Sequence, residues 1–215
     1  MVIDHFLAQC AAHPPIIVVA TVDNPTDGVS LARALQVAGI HFLEITLRTN
    51  AGLEAIHQIR REVSGLCTGA GTLRSPDEIT QAVAAGAEFL VSPGATPVLL
   101  QHASELDVPY LPGIATISEA LAAREMGYRL LKFFPADLSG GTAFLDHLKS
   151  VMPDLNFCPT GGVNTNNLDE YLTLRNVVCV GGSWIAPAEL IQRGDWPAIT
   201  ARATATIDIA SRLPR

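Results

Sequence analysis

One lysine stands in the middle of an apolar run, "LLKFFPADLSGG", from Leu130 to Gly141. An apolar run closed by proline reads as a buried parallel strand, which places Lys132 inside a sheet. Burial disfavours an ammonium, and a lysine that has lost its proton is a nucleophile able to condense with a carbonyl to a Schiff base. The alternative is a four-carbon stem that covers apolar surface while the head reaches water at the strand end. A second unusual stretch is "HFLEITLRT", in which Glu44, Thr46 and Arg48 share one parity and are expected on one strand face, at the interior or its rim. A buried Glu44 needs a partner, and a purely structural ion pair with Lys132 or Arg48 is the other reading of it. Thr72 ends "TGAGT" with a hydroxyl that either donates to a carboxylate or bonds the local backbone.

Pro93 and Gly94 in "VSPGAT", and Pro112 and Gly113 in "LPGIAT", read as turn residues. "CPTGGVN" and "VGGSWIAP" each end an apolar run in paired glycines, where backbone amides approach an anion closely, and Ser183 adds a hydroxyl. Neither stretch holds a basic side chain, so an anion bound there depends on amides and helix dipoles.

These residues need a frame that brings them together. Eight short apolar runs, "PIIVVAT", "HFLEITL", "LCTGAGT", "EFLVSPG", "VPYLPGI", "RLLKFFP", "NFCPTGG" and "VVCVGGS", alternate with amphipathic stretches. They recur every twenty-odd residues, the length of one strand, two loops and a helix. "DNPTDGVSLARALQVAG" reads as a helix with Asn24 or Asp23 as cap, Pro25 early and Gly39 at its end. "SPDEITQAVAAGA" repeats the scheme, with Ser75 as N-cap, Pro76 at the first helical position, Glu78 at the capping-box position and Gly86 as C-cap. Eight strands each followed by a helix predict an α/β protein, a (β/α)8 TIM barrel formed as a single domain over residues 1–215, with a short N-terminal helix. A doubly wound open sheet is the competitor, but "PIIVVATVDNP" has no glycine-rich turn after the first strand. In a barrel the strand C-termini converge on one mouth, and the loops after strands seven and eight, here the paired glycines, commonly hold phosphate.

The length of 215 residues, 48% apolar and only 16% charged, excludes disorder and suggests two buried layers, one inside a sheet and one between sheet and helices. A net charge of −7 argues against a nucleic-acid surface, because no excess of Lys and Arg is present to neutralise phosphates. Cys10, Cys67, Cys158 and Cys179 show no metal-ligand spacing and read as reduced core thiols, with Cys158, beside a glycine loop, as a possible reactive one. The six histidines do not collect at strand ends, so no metal is expected. "MVIDHFLAQCAAHPP" has no basic segment followed by a long apolar one, and no run of eighteen apolar residues occurs, so a soluble cytoplasmic protein with no membrane partner is expected.

"LEITLRT", "GAGTL", "SPG", "PGIAT", "LKFFPA", "CPTGG" and "GGSW", in this order over nearly the whole chain, resemble the motifs of the 2-keto-3-deoxy-6-phosphogluconate aldolase family, class I aldolases of the Entner–Doudoroff pathway. The resemblance implies that Lys132 forms the Schiff base and that Glu44 is the general acid and base. It implies further that Arg48 and Thr72 hold a pyruvyl carboxylate and that Pro93 and Phe134 shape the pocket. Thr160, Gly161, Gly162, Gly182 and Ser183 would then reach the remainder of a phosphorylated keto-acid. By the same resemblance the protein is a homotrimer, needs no metal or organic cofactor, and cleaves 2-dehydro-3-deoxy-6-phosphogluconate to pyruvate and glyceraldehyde 3-phosphate, with cleavage of 4-hydroxy-2-oxoglutarate as a second activity associated with the family. Many relatives carry a basic residue where this chain has Ala20 and Thr21, which weakens the inference of phosphate affinity. Two other readings stay open from the residues alone: a phosphosugar isomerase or other barrel lyase without a covalent adduct, and a non-catalytic metabolite-binding barrel.

Overall fold

The computed structural model describes residues 2–213. Met1 and residues 214–215, the two ends of the expected domain, lie outside the described residues. The strands are β1 (Ile16–Ala20), β2 (Phe42–Thr46), β3 (Cys67–Gly71), β4 (Leu90–Val91), β5 (Tyr110–Leu111), β6 (Gly113–Ile114), β7 (Leu130–Phe133), β8 (Asn156–Pro159) and β9 (Val180–Gly182). The helices are α1 (Val2–Ala12), α2 (Pro25–Ala38), α3 (Gly52–Glu62), α4 (Pro76–Ala84), α5 (Pro97–Ser104), α6 (Ile117–Glu125), α7 (Gly141–Val151), α8 (Leu168–Leu172), α9 (Ala188–Gln192) and α10 (Trp196–Ser211).

Strand and helix alternate, and every strand pair is parallel, as short buried runs joined by helices require. A six-stranded sheet runs β5-β4-β3-β2-β1-β9 and a three-stranded one β6-β7-β8. Single bridges, Phe157 to Val177 and Thr160 to Gly181, tie β8 to the β9 run. The fifth expected strand is present as two short ones because Pro112, which has no N–H to donate, interrupts it between β5 and β6. The Pro112 carbonyl still accepts from the Lys132 N–H at 3.0 Å, so the run passes from one sheet to the other.

The helix signals hold locally. Asn24 caps α2 through its side chain, and Gly39 ends the helix at φ 89°, a left-handed conformation that glycine adopts without strain. Ser75 caps α4 by accepting from the Glu78 N–H at 3.2 Å, but the Glu78 carboxylate reaches the Arg74 N–H at 2.5 Å, and the C-cap of α4 is Ala85, one residue before Gly86. A full reciprocal capping box forms instead at Thr116 and Glu119 of α6.

Alternation along the strands sorts the core into two layers. Ile16, Val18, Leu43, Ile45, Leu131 and Phe133 face the helices, whereas Ile17, Phe42, Val91, Leu111 and Leu130 form an inner layer with all four thiols. Helix α1 closes the inner layer from below: Phe6 lies 5.2 Å from Phe42 and 5.3 Å from Phe89 between ring centroids. Cys158 is 3% exposed and sits in this dry layer. Hydrogen bonds with Cys10 and Cys158, and then burial, push the Cys179 thiol well above its ordinary range, and burial raises Cys67 to about 12. Cys67 and Cys179 are therefore protonated, inert thiols. No described helix is long and apolar enough to cross a membrane.

Where α1 meets β2, His41 stacks on His13 at 3.7 Å. Burial, and then the neighbouring His13, hold His41 below the ordinary histidine value of 6.5. The unfolded chain therefore binds a proton that folded His41 refuses. Stability is fully present above the ordinary value and is lost as pH falls through it toward the lowered one. Thermal denaturation from about pH 5 to 8 should show Tm rising with pH across that window, with a shallower slope in His41→Gln. An unaltered slope in the variant would remove His41 from the pH dependence.

Candidate active site

The inner face of the curled sheet carries two ionisable residues above the dry layer. Glu44, in the middle of β2, is 2% exposed, and Lys132, in β7, is 5% exposed. Lys132 Nζ donates to Glu44 Oε1 at 3.3 Å. Each shares parity with an apolar inner residue two positions earlier, Phe42 and Leu130, so the alternation that fills the core also aims the pair inward. Glycine on the adjoining strands makes room here, for the Glu44 side chain and for the Pro93 carbonyl beside Lys132. Lys132 is in register with Gly113, and a Cβ there would run into the Pro93 carbonyl. A Cβ at Gly71 would overlap the Glu44 carboxylate itself. The Phe134 ring lies 5.3 Å from Lys132 Nζ, a cation–π distance.

Arg48 lies beyond the strand. β2 ends at Thr46, and Arg48 occupies the following turn, exposed, with its Nε donating to Thr72 Oγ1 at 3.3 Å. Thr72 follows β3 at φ 64°, the one described non-glycine residue in the left-handed region, as befits a residue held for its side chain. Arg48, Phe134, Thr160, Gly161, Gly162, Gly182 and Ser183 line one cavity of about 370 Å³ together with Thr21, Val163 and Glu189. Lys132, Glu44, Thr72 and Pro93 are not in its wall. The buried pair adjoins it: the Phe134 ring, in the wall, lies 5.3 Å from Lys132 Nζ, and Val19, also in the wall, is in register with Glu44, while the Thr21 hydroxyl meets that of Thr46 at 2.7 Å. A larger apolar cavity of about 420 Å³, between α1 and the end of α10, has Arg175 as its single charged lining residue, so the converging chemistry is in the smaller one.

The cavity wall holds one cation, Arg48, and one carboxylate, Glu189. At its glycine end the wall offers backbone N–H groups and no basic side chain. Thr160 is 6% exposed and donates to the Cys158 carbonyl at 3.4 Å, so its hydroxyl bonds the local backbone. The Thr21–Thr46 pair, Val163 and Glu189 were not expected in the site. Thr46 shows the right parity in sequence, but nothing in sequence pairs it with Thr21. No group of three or more potential metal ligands occurs among the described residues.

Residues 8–202 match the family model for KDPG and KHG aldolase. The chain is 48% identical over 181 residues to the 2-dehydro-3-deoxy-phosphogluconate aldolase of Pseudomonas aeruginosa, covering 84% of this chain and 82% of that one. It is 39% identical to the KHG/KDPG aldolase of Escherichia coli K12 over 90% of this chain and 91% of that one. The crystal structure of the Legionella pneumophila KDPG aldolase, with pyruvate captured as a covalent carbinolamine, superposes with a TM-score of 0.90 at 42% identity and covers 93% of this chain and 97% of that one.

Gly71→Ala tests the packing of the pair. The added methyl must displace the Glu44 carboxylate, and chemical denaturation is expected to show a loss of about 1–3 kcal/mol. Wild-type stability in this variant would mean that the carboxylate is not held against Gly71.

Proposed function

The chain belongs to the KDPG and KHG aldolase family, and from that footing we propose that it is a class I aldolase. It cleaves 2-dehydro-3-deoxy-6-phosphogluconate to pyruvate and glyceraldehyde 3-phosphate, and 4-hydroxy-2-oxoglutarate to pyruvate and glyoxylate. The observation that carries the reading is the buried amine of Lys132 held 3.3 Å from the Glu44 carboxylate beside the cavity. The covalent pyruvate carbinolamine in the Legionella relative supports it.

Lys132 passes its proton to Glu44, and the neutral amine attacks the C2 ketone to form a carbinolamine. Glu44 gives that proton to the carbinolamine hydroxyl, which leaves as water. The iminium so formed accepts the electron pair of the C3–C4 bond as the restored Glu44 carboxylate, directly or through a water, takes the C4 hydroxyl proton. The aldehyde departs and leaves a pyruvate enamine. Glu44 returns a proton to C3, and hydrolysis frees pyruvate and Lys132. The iminium is the electron sink, so the chemistry draws on no metal or organic cofactor. Arg48 and Thr72, bonded to one another, present a cation and a hydroxyl to the substrate carboxylate. Pro93 and Phe134 bound the pocket beside Lys132. Thr160, Gly161, Gly162, Gly182 and Ser183 take the rest of the substrate and its phosphate.

The same reading closes the two sheets into a (β/α)8 barrel in one domain, supported by the bridges from β8 to β9 and the continuity of residues 110–114. A cytoplasmic homotrimer fits as well. Exposed Ile117 and Leu121 of α6, Met126 at its end and Val98 of α5 offer apolar surface to a second copy.

Sodium borohydride with pyruvate should add a reduced three-carbon acid to Lys132 and abolish activity. The sequence contains one other lysine, Lys149, which pairs with Asp146 on the surface, so peptide mass mapping gives a clean answer. An adduct on Lys149, or none, overturns the covalent mechanism and favours an isomerase or a binding protein. Glu44→Gln should still trap pyruvate while kcat falls about a hundredfold or more. Near-normal turnover would leave the proton transfers to another group.

A further inference from the structure

The turn after β8 passes through Gly161 at φ 91° and Gly162 at φ 83°. Its carbonyls are held by named donors. Gly161 O accepts from the Asp137 N–H at 3.1 Å, and Gly162 O accepts from two side-chain amides, Asn164 Nδ2 at 3.0 Å and Asn167 Nδ2 at 3.1 Å. The two asparagines are themselves fixed: Asn167 Oδ1 accepts from the Asn164 N–H at 2.8 Å, and Asn164 Oδ1 from the Asn166 N–H at 2.9 Å.

A trans peptide is planar, with its N–H directed opposite to its C=O. Holding Gly161 O against Asp137 turns the Gly162 N–H the other way, and holding Gly162 O against the asparagines does the same for the Val163 N–H. Gly162 and Val163 line the catalytic cavity, whereas neither asparagine does. Asn164 lines a separate cavity behind the turn, with Trp184 and Arg202. Among the described residues neither N–H meets an acceptor. Two successive free N–H groups in such a turn form an anion-binding concavity.

We propose that Asn164 and Asn167 are positioning residues that aim the N–H groups of Gly162 and Val163 at the phosphate of the substrate. The proposal rests on the aldolase reading above for the identity of that phosphate. Two donors on one carbonyl lock the Gly162–Val163 peptide against rotation. The lock matters because the cavity wall offers a single cation, Arg48, which is bonded to Thr72 and so serves the carboxylate end. Oriented amides must supply the attraction at the other end.

The test compares two substrates and a competitor in Asn164→Ala, Asn167→Ala and the double variant. In the double variant KM for the six-carbon phosphorylated substrate should rise about tenfold with kcat within about twofold, and inorganic phosphate should inhibit about tenfold less well. Selectivity against 4-hydroxy-2-oxoglutarate, whose chain ends before the phosphate position, should fall by the same factor. Each single variant keeps one donor to Gly162 O and should show an intermediate shift, which decides the matter if the double variant does not fold. An equal fall in kcat/KM for both substrates would mark a merely structural role, and an unchanged KM for the phosphorylated substrate would also overturn the proposal. Pyruvate trapping by borohydride, measured in the unaltered protein beside the variants, separates the two readings, since its absence from the unaltered protein strikes the aldolase mechanism and not the turn.

Discussion

A lysine and a carboxylate held 3.3 Å apart inside a curled parallel sheet set the terms for everything around them. Removing two such charges from water costs several kcal/mol per ion, and only close contact between them offsets that cost. The pair therefore demands space, and the adjoining strands supply it by omission. On one side Glu44 is in register with Gly69, Thr46 with Gly71 and Lys132 with Gly113, glycines that carry no side chain, while on the other Glu44 meets Val19 and Lys132 meets Cys158. Not all of this space goes to the charges: Phe89 fills what Gly69 leaves, at 2.5 Å from where a Cβ would lie.

The pair also lies on a boundary. Beneath it Phe6, Phe42, Phe89, Leu130 and the thiols form an inner layer sealed by α1. Above it the chain opens into a cavity whose wall carries glycines, hydroxyls, one guanidinium and one carboxylate among apolar residues. A dry floor strengthens electrostatic interactions at the amine, and an open mouth admits a polar substrate to it. The buried thiols share the floor but not the chemistry, because burial and mutual hydrogen bonding keep Cys179 protonated and Cys158 faces the same layer.

Polarity at the mouth comes mostly from backbone. The turn 160–163 and the run 181–183 place peptide groups where a basic side chain is lacking, and their effectiveness depends on which way each peptide is turned. Asp137, Asn164 and Asn167 determine that orientation from outside the cavity. The direction in which these peptides point is thus set by hydrogen bonds made outside the cavity wall.

Sequence by itself determined the alternation of strands and helices, the two apolar layers and the lysine and glutamate that face inward, because each follows from parity and periodicity within one segment. It placed the caps at Asn24 and Ser75 for the same reason, since a cap is a contact over three residues. Tertiary structure decided the rest. That Glu44 pairs with Lys132 rather than Arg48, 88 residues apart in one case and four in the other, depends on strand order and on where β2 stops. Arg48 leaves the parity of its strand because the strand ends at Thr46, so it meets Thr72 and not the buried carboxylate. The split at Pro112, the Thr21–Thr46 contact and the two asparagines on one carbonyl are invisible in any local pattern. Each depends on which segments lie side by side, and that is settled only when distant strands take up their register.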